Sequence, residues 1–465
     1  MKYTTTGLEK AGIDLTPPFQ VEVQLDPLDA DDDSLAGRQI IDFRSIARVL
    51  PGRRVSGIAQ CGDKTVFAKI FYGKQARRYW GRELNGAALI AGSEAPSAPV
   101  LGRGATHDDQ GYVAIYQALP DARGLSDQNH DEMLAAVRCL AKLHDANLIQ
   151  SDPHLNNFVS SEGVVYSVDA DSLKRAQLVK HHLTNLGAML AQRAPEFDSE
   201  IPEIWREYAD VRGEYVSRMG SVEQVQKLTL RERQLRVKRY LKKTQRECTE
   251  FVQRQTFKRD FLCDRNHWPR LQRFMVFPDE TMNEGVPLKL GNSSTVVRCV
   301  IENQPYIVKR YNIKSWTHRV RRWIKRRARN AWQNGHWLDF VGIDTAKPVA
   351  LLEQRWGWFA GVSYLVMPDV GERDLAHTLA IQPGRFDDLA PQTVSLLRKL
   401  KVAGLQHGDL KATNFMVSEN RVLLIDYDAL SEGSFESDRA RFVKNWVEDN
   451  ALSEAWQKLM VEADI

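Results

Sequence analysis

Sulfur is scarce in this chain, and long apolar runs are absent. Its 465 residues include five cysteines, Cys61, Cys139, Cys248, Cys263 and Cys299, scattered and odd in number. That argues against a disulfide framework and suits reduced thiols in a cytoplasm. Cys263 and His267 have a spacing that zinc accepts, but no second ligand pair stands near them. They read as a structural thiol and a surface histidine. No apolar run approaches the roughly 20 residues that cross a bilayer. The N-terminus, Met1-Lys2-Tyr3-Thr4-Thr5-Thr6, has no apolar segment of the kind secretory signals carry. What remains is a globular composition, 43% hydrophobic and 27% charged, with a length that predicts two domains of ordinary size.

Net charge is also small, +4, but it is unevenly spread. Asp26, Asp29, Asp31, Asp32 and Asp33 make an acidic stretch, and two basic stretches lie further on. One predicted helix carries Lys227, Arg231, Arg233, Arg236, Lys238, Arg239, Lys242 and Lys243 with leucines between them. A solvated interdomain helix and a surface for anionic headgroups are both open readings. The second stretch, residues 314–329, interleaves Lys314, Arg319, Arg321, Arg322, Lys325, Arg326, Arg327 and Arg329 with Trp316 and Trp323, and Trp332 follows. A basic helix with tryptophans suits the surface of an anionic membrane, and no nucleic-acid motif accompanies it.

The chemistry concentrates in His407-Gly408-Asp409-Leu410-Lys411-Ala412-Thr413-Asn414-Phe415, followed after a short apolar run by Asp426-Tyr427-Asp428. Phosphoryl transfer from a nucleotide needs one carboxylate to orient or deprotonate the attacking hydroxyl. It also needs an amide and a second carboxylate to hold magnesium. The spacing matches the protein-kinase catalytic loop and its metal-binding aspartate, with Asp409 in the first role and Asn414 and Asp426 in the second. The pattern occurs twice. Asp152, Asn157 and Asp169 each lie 257 positions before Asp409, Asn414 and Asp426. A repeat this long means two copies of one domain.

Each copy is preceded by segments that fit a small β-rich lobe. In the first, Val66-Phe67-Ala68-Lys69-Ile70-Phe71 carries Lys69, placed to meet the α and β phosphates of a nucleotide. Glu83, 14 positions on, opens a helical pattern and is placed to pair with Lys69. Residues 112–116 would lead into the hinge between lobes, and residues 134–144 have the periodicity of a helix that delivers the chain to the loop. In the second copy Lys309 stands in Tyr306-Ile307-Val308-Lys309-Arg310-Tyr311. A tight turn at Gly291, Asn292, Ser293 and Ser294 offers backbone N–H groups to phosphates, although it keeps a single glycine of the kinase Gly-x-Gly-x-x-Gly. Where a glutamate is expected after Lys309 the sequence reads Ala331-Trp332-Gln333-Asn334, which leaves Gln333 or Asn334 to hydrogen-bond Lys309. Neither copy has the arginine of the kinase His-Arg-Asp triplet. Ser151 and Gly408 stand there, and Gln150 replaces the histidine in the first copy.

These loops, together with Gly-Asn-Ser-Ser-Thr-Val and Val-Lys-Arg-Tyr-Asn, resemble those of the bacterial lipopolysaccharide core kinases. These are the heptose kinases and the 3-deoxy-manno-octulosonate (Kdo) kinases, here in a double-domain form. The resemblance covers most of the second copy and, more loosely, residues 53–171. With the repeat, it predicts an α+β fold of two tandem protein-kinase-like domains, each with a small β-rich N-lobe and a helical C-lobe. It implies ATP and Mg2+ as cofactors and a sugar hydroxyl of the lipopolysaccharide inner core as acceptor. The protein would be cytoplasmic, in peripheral contact with the anionic inner face of the inner membrane, with no nucleic acid and no specific protein partner. Asp409 and Asp152 would be catalytic. Lys309, Gly291, Asn292, Ser293, Ser294, Lys69 and Glu83 would bind the nucleotide, and Asn414, Asp426, Asn157 and Asp169 the metal. The expected boundaries are a partly irregular lead-in at 1–38, a first domain at 39–250, a linker at 251–282 and a second domain at 283–465. Two other functions fit the motifs. One is a protein kinase, against which no Ala-Pro-Glu segment and no long activation loop follow Asp426. The other is a kinase-like protein in which one domain is a non-catalytic regulatory or binding scaffold.

Overall fold

Alternating apolar and polar residues build most of the sheet in this protein, and 3.6-residue periodicity builds the helices packed beside it. The computed structural model describes residues 2–26, 35–312, 327–356, 359–371 and 373–465. Residues 29–33 of the acidic run and 314–326 of the basic insertion lie outside the described residues. The architecture is α+β, in two compact units: Met1–Arg193 with Phe197–Arg233, and Ala194–Glu196 with Gln234–Ile465. Among the described residues no helix is long and apolar enough to cross a membrane.

The first unit begins with β1 (Lys2–Tyr3), α1 (Thr5–Ala11), β2 (Phe19–Asp26) and β3 (Gly37–Phe43). Then come β4 (Arg48–Leu50), β5 (Arg54–Cys61), β6 (Lys64–Phe71), α2 (Ala76–Ala91), β7 (Val100–Thr106) and β8 (Tyr112–Gln117). The ladder runs β2-β3-β5-β6-β8-β7, and β7 pairs back to β2, so the sheet closes on itself. The lead-in expected to be partly irregular supplies barrel staves. Its signal is there in period two: Phe19, Val21, Val23 and Leu25 are at most 2% exposed and alternate with polar residues. Pro17-Pro18 before the strand and the aspartate run after it obscured that signal. Phe19 stacks on Phe43 at 4.7 Å. Closure removes the free edges that two of these strands would otherwise carry.

The helical part of the first unit holds β9 (Arg123–Gly124), α3 (His130–Asp145), β10 (Leu148–Gln150), β11 (Phe158–Ser161), β12 (Val164–Ser167) and β13 (Leu173–Arg175). It continues with α4 (Val179–Leu190), α5 (Ile201–Arg212), α6 (Glu214–Met219) and α7 (Val222–Lys243), the last reaching into the second unit. In α3 the Asn129 side chain caps Glu132 N, and Met133, Ala136, Val137, Leu140 and Leu143 form the buried stripe. The helix expected over residues 203–218 is interrupted at Gly213, whose φ is 75°. The long basic helix ends at Lys243, and Phe251 begins a strand. Its cations are partly engaged. Arg233 is 6% exposed and grips Asp198 at 2.6 and 2.7 Å, and Arg236 lies 5.4 Å from the Phe340 ring centroid.

The second unit opens with β14 (Phe251–Gln255), β15 (Arg259–Asp264), α8 (Trp268–Val276) and α9 (Pro278–Asn283). Next are β16 (Val286–Leu290), β17 (Ser294–Ile301), β18 (Gln304–Tyr311), α10 (Arg327–Phe340), β19 (Ala350–Trp356) and β20 (Phe359–Pro368). Its open sheet has the order β14-β15-β19-β20-β18-β17-β16. The stretch expected as a linker, 251–282, thus carries two strands of that sheet and two helices. Phe251, Val252, Phe261, Leu262 and Cys263 are at most 2% exposed. Asp260, 4% exposed, receives Arg329 at 2.6 Å and Arg355 at 2.5 Å. Asp260 thus anchors the segment to α10 and β19. Cys263 is buried in β15, and His267 bonds the Tyr306 hydroxyl at 2.9 Å.

Below this sheet come β21 (Arg373–Asp374), α11 (Leu375–Ile381), α12 (Phe386–Val402), β22 (Leu405–Gln406), β23 (Phe415–Ser418) and β24 (Arg421–Leu424). β25 (Ser431–Glu432), α13 (Glu436–Lys444) and α14 (Asn450–Glu462) complete the described chain. The repeat holds residue by residue in backbone pairing. Leu148 faces Arg175 and Leu405 faces Glu432; Phe158 faces Ser167 and Phe415 faces Leu424. Short 3-10 turns recur at Leu155–Asn157 and Ala412–Asn414, and at Ala170–Ser172 and Tyr427–Ala429.

One close approach in the first unit requires glycine. A Cβ on Gly86 of α2 would lie 1.9 Å from the Ala170 carbonyl oxygen. Gly81, on the same helix, has nothing within 4 Å. Gly86→Ala is expected to destabilise the protein by about 1–3 kcal/mol through overpacking against backbone. Gly81→Ala is expected to be neutral or slightly stabilising. Urea-unfolding midpoints check the pair.

Candidate active site

Lys309 lies in β18 between β17 and β20, 9% exposed, with its ammonium facing the loop after β24. Its Nζ is 2.6 Å from Asp426 Oδ1 and 3.0 Å from Asp428 Oδ1. Gln333 and Asn334 do not take the role expected of them. Asn334 Nδ2 donates instead to the Tyr427 carbonyl at 2.8 Å. The reason lies one turn back in α10. Gly335 packs on Tyr427 as Gly86 packs on Ala170, and Ala170 and Tyr427 are repeat equivalents. Three residues before these glycines stand Glu83 in the first unit and Trp332 in the second. Trp332 is fully buried and bonds Thr244, so no carboxylate reaches Lys309 from the helix. Asp428 supplies one from the opposite side. It also accepts from the Tyr311 hydroxyl at 2.9 Å and pairs with Arg327 at 3.2 Å. Burial, then Asp428, raises the Tyr311 hydroxyl well above its ordinary pKa, which keeps it a donor.

Asp426 has φ 57° and ψ 45°, a left-handed conformation that non-glycine residues adopt at sites where the surroundings enforce it. Burial pushes its carboxyl up, but the Lys309 ammonium outweighs burial and holds it below the ordinary aspartate range. The loop before it is tied to the same turn. Asn414 Nδ2 donates to the Asp409 carbonyl at 2.7 Å, which leaves Oδ1 free of that bond to serve as an acceptor. Ile425 N donates to the Asn414 carbonyl at 2.9 Å. His407 is fully buried and bonds the Ile425 carbonyl through Nε2 at 3.0 Å; burial lowers its pKa. Gly408 has φ 82°, and a Cβ there would come within 2.9 Å of Ala429. Asp438, fully buried in α13, accepts from the backbone N–H groups of His407 and Gly408. Asp409 is half-exposed, and Lys411 Nζ lies 2.8 Å from its Oδ1.

These groups border one cleft of about 460 Å3. Lys309, Asp409, Asn414, Asp426 and Asp428 line its polar end, and Ser293 and Ser294 close it from the β16–β17 turn. Val296, Ile307, Leu365, Met367, Met416 and Ile425 form apolar walls. Gly291 and Asn292 sit further out on the turn and do not line the cleft. The donor set fits a magnesium nucleotide: an amide oxygen and an ionised carboxylate for the metal, and a buried ammonium for phosphates.

The first unit keeps the backbone and changes the charges. Lys69 Nζ meets Glu83 Oε1 at 2.5 Å, as expected, and the Val168 carbonyl at 3.3 Å. Glu83 is fully buried and accepts from the Tyr116 hydroxyl at 2.7 Å. Asn157 Nδ2 donates to the Asp152 carbonyl at 2.9 Å, and Asp152 is exposed. Asp169, however, faces a guanidinium. Arg54, 5% exposed, lies 3.6 Å from Glu83, 3.5 Å from Asp169 and 3.8 Å from Asp171, and Arg53 pairs with Asp171. The three carboxylates are close enough together to share a metal ion. Unit charges 4 Å apart interact by about 4 kcal/mol at an effective dielectric of 20, and a divalent ion doubles that. Guanidinium and metal are therefore alternatives at this trio.

Sequence reasoning missed Asp428, Lys411, Asp438 and Arg54. Lys411, two positions after Asp409, and Asp428, two after Asp426, could have been found from spacing. Asp438 and Arg54 have no local signal, since only folding brings them to the loops they serve. Asp428→Asn should weaken nucleotide binding roughly tenfold, because a charged hydrogen bond is worth about 1.5–3 kcal/mol, whereas Gln333→Ala should leave affinity unchanged. Titration with a fluorescent ATP analogue measures both.

No protein-family model matches the chain, and no curated protein does. Among solved structures, one described as WaaP in complex with acyl carrier protein aligns with 42% of this chain and 88% of its own, at 13% identity and a TM-score of 0.28. A superposition that loose carries no weight beside the cleft's own geometry.

Proposed function

We propose that both units are protein-kinase-like and that the second is an ATP- and magnesium-dependent phosphotransferase. Its acceptor is a sugar hydroxyl, of heptose or Kdo, in the lipopolysaccharide inner core. The observation that carries the reading is the convergence of Lys309, Asp426, Asn414 and Asp409 on one cleft, of a volume ordinary for a small-molecule site. A magnesium ion held by Asn414 and Asp426 would neutralise phosphate charge. Lys309, steadied by Asp428, meets the phosphates as a fixed cation, and the apolar walls take the base. Asp409, half-exposed at the polar end, orients the acceptor hydroxyl and takes its proton, with Lys411 as a second cation beside the point of attack.

The acceptor class rests on the sequence resemblance and on one structural feature. Helix α13 starts at Glu436, ten residues after Asp426, and a 3-10 turn and β25 fill the interval. That leaves no room for the long activation segment on which a peptide substrate would lie. A purified core glycolipid should accept radiolabelled phosphate from ATP, and a generic protein substrate should not. Asp409→Ala should reduce transfer by roughly 10^2–10^4-fold, the usual worth of a general base. Transfer to protein alone would replace this reading with that of a protein kinase.

The same proposal places the protein at the cytoplasmic face of the inner membrane, docked through the basic insertion. Arg327 and Arg329 have partners within the protein, Asp428 for the first and Asp260 and Glu353 for the second, and Trp332 is buried. Residues 314–326 supply the charge, at about 1 kcal/mol for each basic side chain near an anionic surface. In sedimentation with vesicles rich in anionic lipid, the protein should pellet at low salt and be released at high salt. A variant with Arg321, Arg322 and Arg326 changed to Glu should stay in the supernatant; equal pelleting would refute docking by this segment.

A further inference from the structure

We infer that the first unit carries its own cation: Arg54 fills the position a metal ion would take among Glu83, Asp169 and Asp171, so this unit binds no magnesium nucleotide and the chain has one nucleotide site, in the second unit. The count of one rests on the function proposed for that unit.

Strand register gives the comparison. Ser56 faces Lys69 across β5 and β6, and Val296 faces Lys309 across β17 and β18. Arg54 faces Phe71, and Ser294 faces Tyr311. Each residue of the second pair lies 240 positions after its counterpart. Arg54 therefore stands where the second unit has Ser294, and Arg53 where it has Ser293. Those serines line the cleft of the second unit and bring no charge into it. In the first unit two guanidiniums project from the same positions onto the carboxylates.

Two further features agree. Asp169 has φ −113° and ψ 85°, so it lacks the left-handed turn that presents Asp426. Two positions after Asp152 stands His154, whose ring caps Asn156 N at 3.1 Å, in place of Lys411.

Equilibrium dialysis of the full chain against a radiolabelled, non-hydrolysable ATP analogue with Mn2+ tests the assignment. Wild type should bind one equivalent and Asp426→Asn none. Adding Arg53→Ser and Arg54→Ser to Asp426→Asn should restore one equivalent, because the first unit then has the serines of the second. Two equivalents in wild type, or one retained by Asp426→Asn, would overturn the inference. So would a triple variant that melts cooperatively, as wild type does, yet binds nothing. Binding by neither wild type nor Asp426→Asn, with one equivalent in the triple variant, would sink the function proposed for the second unit and leave Arg54 as the resident cation of the first.

Discussion

A lysine ammonium brought out of water must find a countercharge, and the active region of the second unit is arranged around that requirement. Lys309 enters from the sheet, and removing a charge from water is costly unless hydrogen bonds and opposite charge replace the solvent. Two aspartates on one short turn meet it, and that turn is in turn bonded to the loop bearing Asp409 and Asn414. The left-handed backbone at Asp426 persists because pairing with Lys309 and the Tyr427–Ala429 turn over-determine it. Lys309, Asp409, Asn414 and Asp426 are thus mechanically linked through one ion pair.

The first unit shows the same backbone under a different charge arrangement. Helix α2 brings Glu83 to Lys69, so the lysine no longer needs Asp169 and Asp171, and those aspartates are met by Arg54 from β5 and by Arg53 just before it. Each unit pairs these charges within the protein: Lys309 with Asp426 and Asp428 in the second, and Lys69, Arg54 and Arg53 with Glu83, Asp169 and Asp171 in the first. What differs is where the paired cation sits. In the second unit it is a lysine at the cleft's edge, beside open space, and in the first it is a guanidinium in the middle of the carboxylates.

In both units an N-terminal hairpin extends the main sheet, and the outcomes differ. In the first, β2 and β3 join both ends of the ladder and close it. In the second, β14 and β15 lengthen one edge, and Asp260 on β15 receives Arg329 from the first turn of α10 and Arg355 from β19. An arginine that resembles a membrane anchor in the one-dimensional sequence is in this way an internal tie between a hairpin and a helix.

Spacing along the chain was enough to locate the matching loops of both units, because the distance from Asp409 to Asn414 to Asp426 is set by one turn and one short hairpin. Such local geometry depends on chain connectivity and is written in residue numbers. The strand lysines and Glu83 were legible for the same reason, as was the α+β class from the two periodicities. The barrel strand at residues 19–26 was legible in principle, in its alternation, but the flanking prolines and aspartates pointed elsewhere. Asp438, Arg54 and the replacement of Glu83 by Trp332 were decided only by tertiary structure. Each depends on which side chain arrives from a distant element to meet a buried charge, and nothing in the local sequence encodes that arrival.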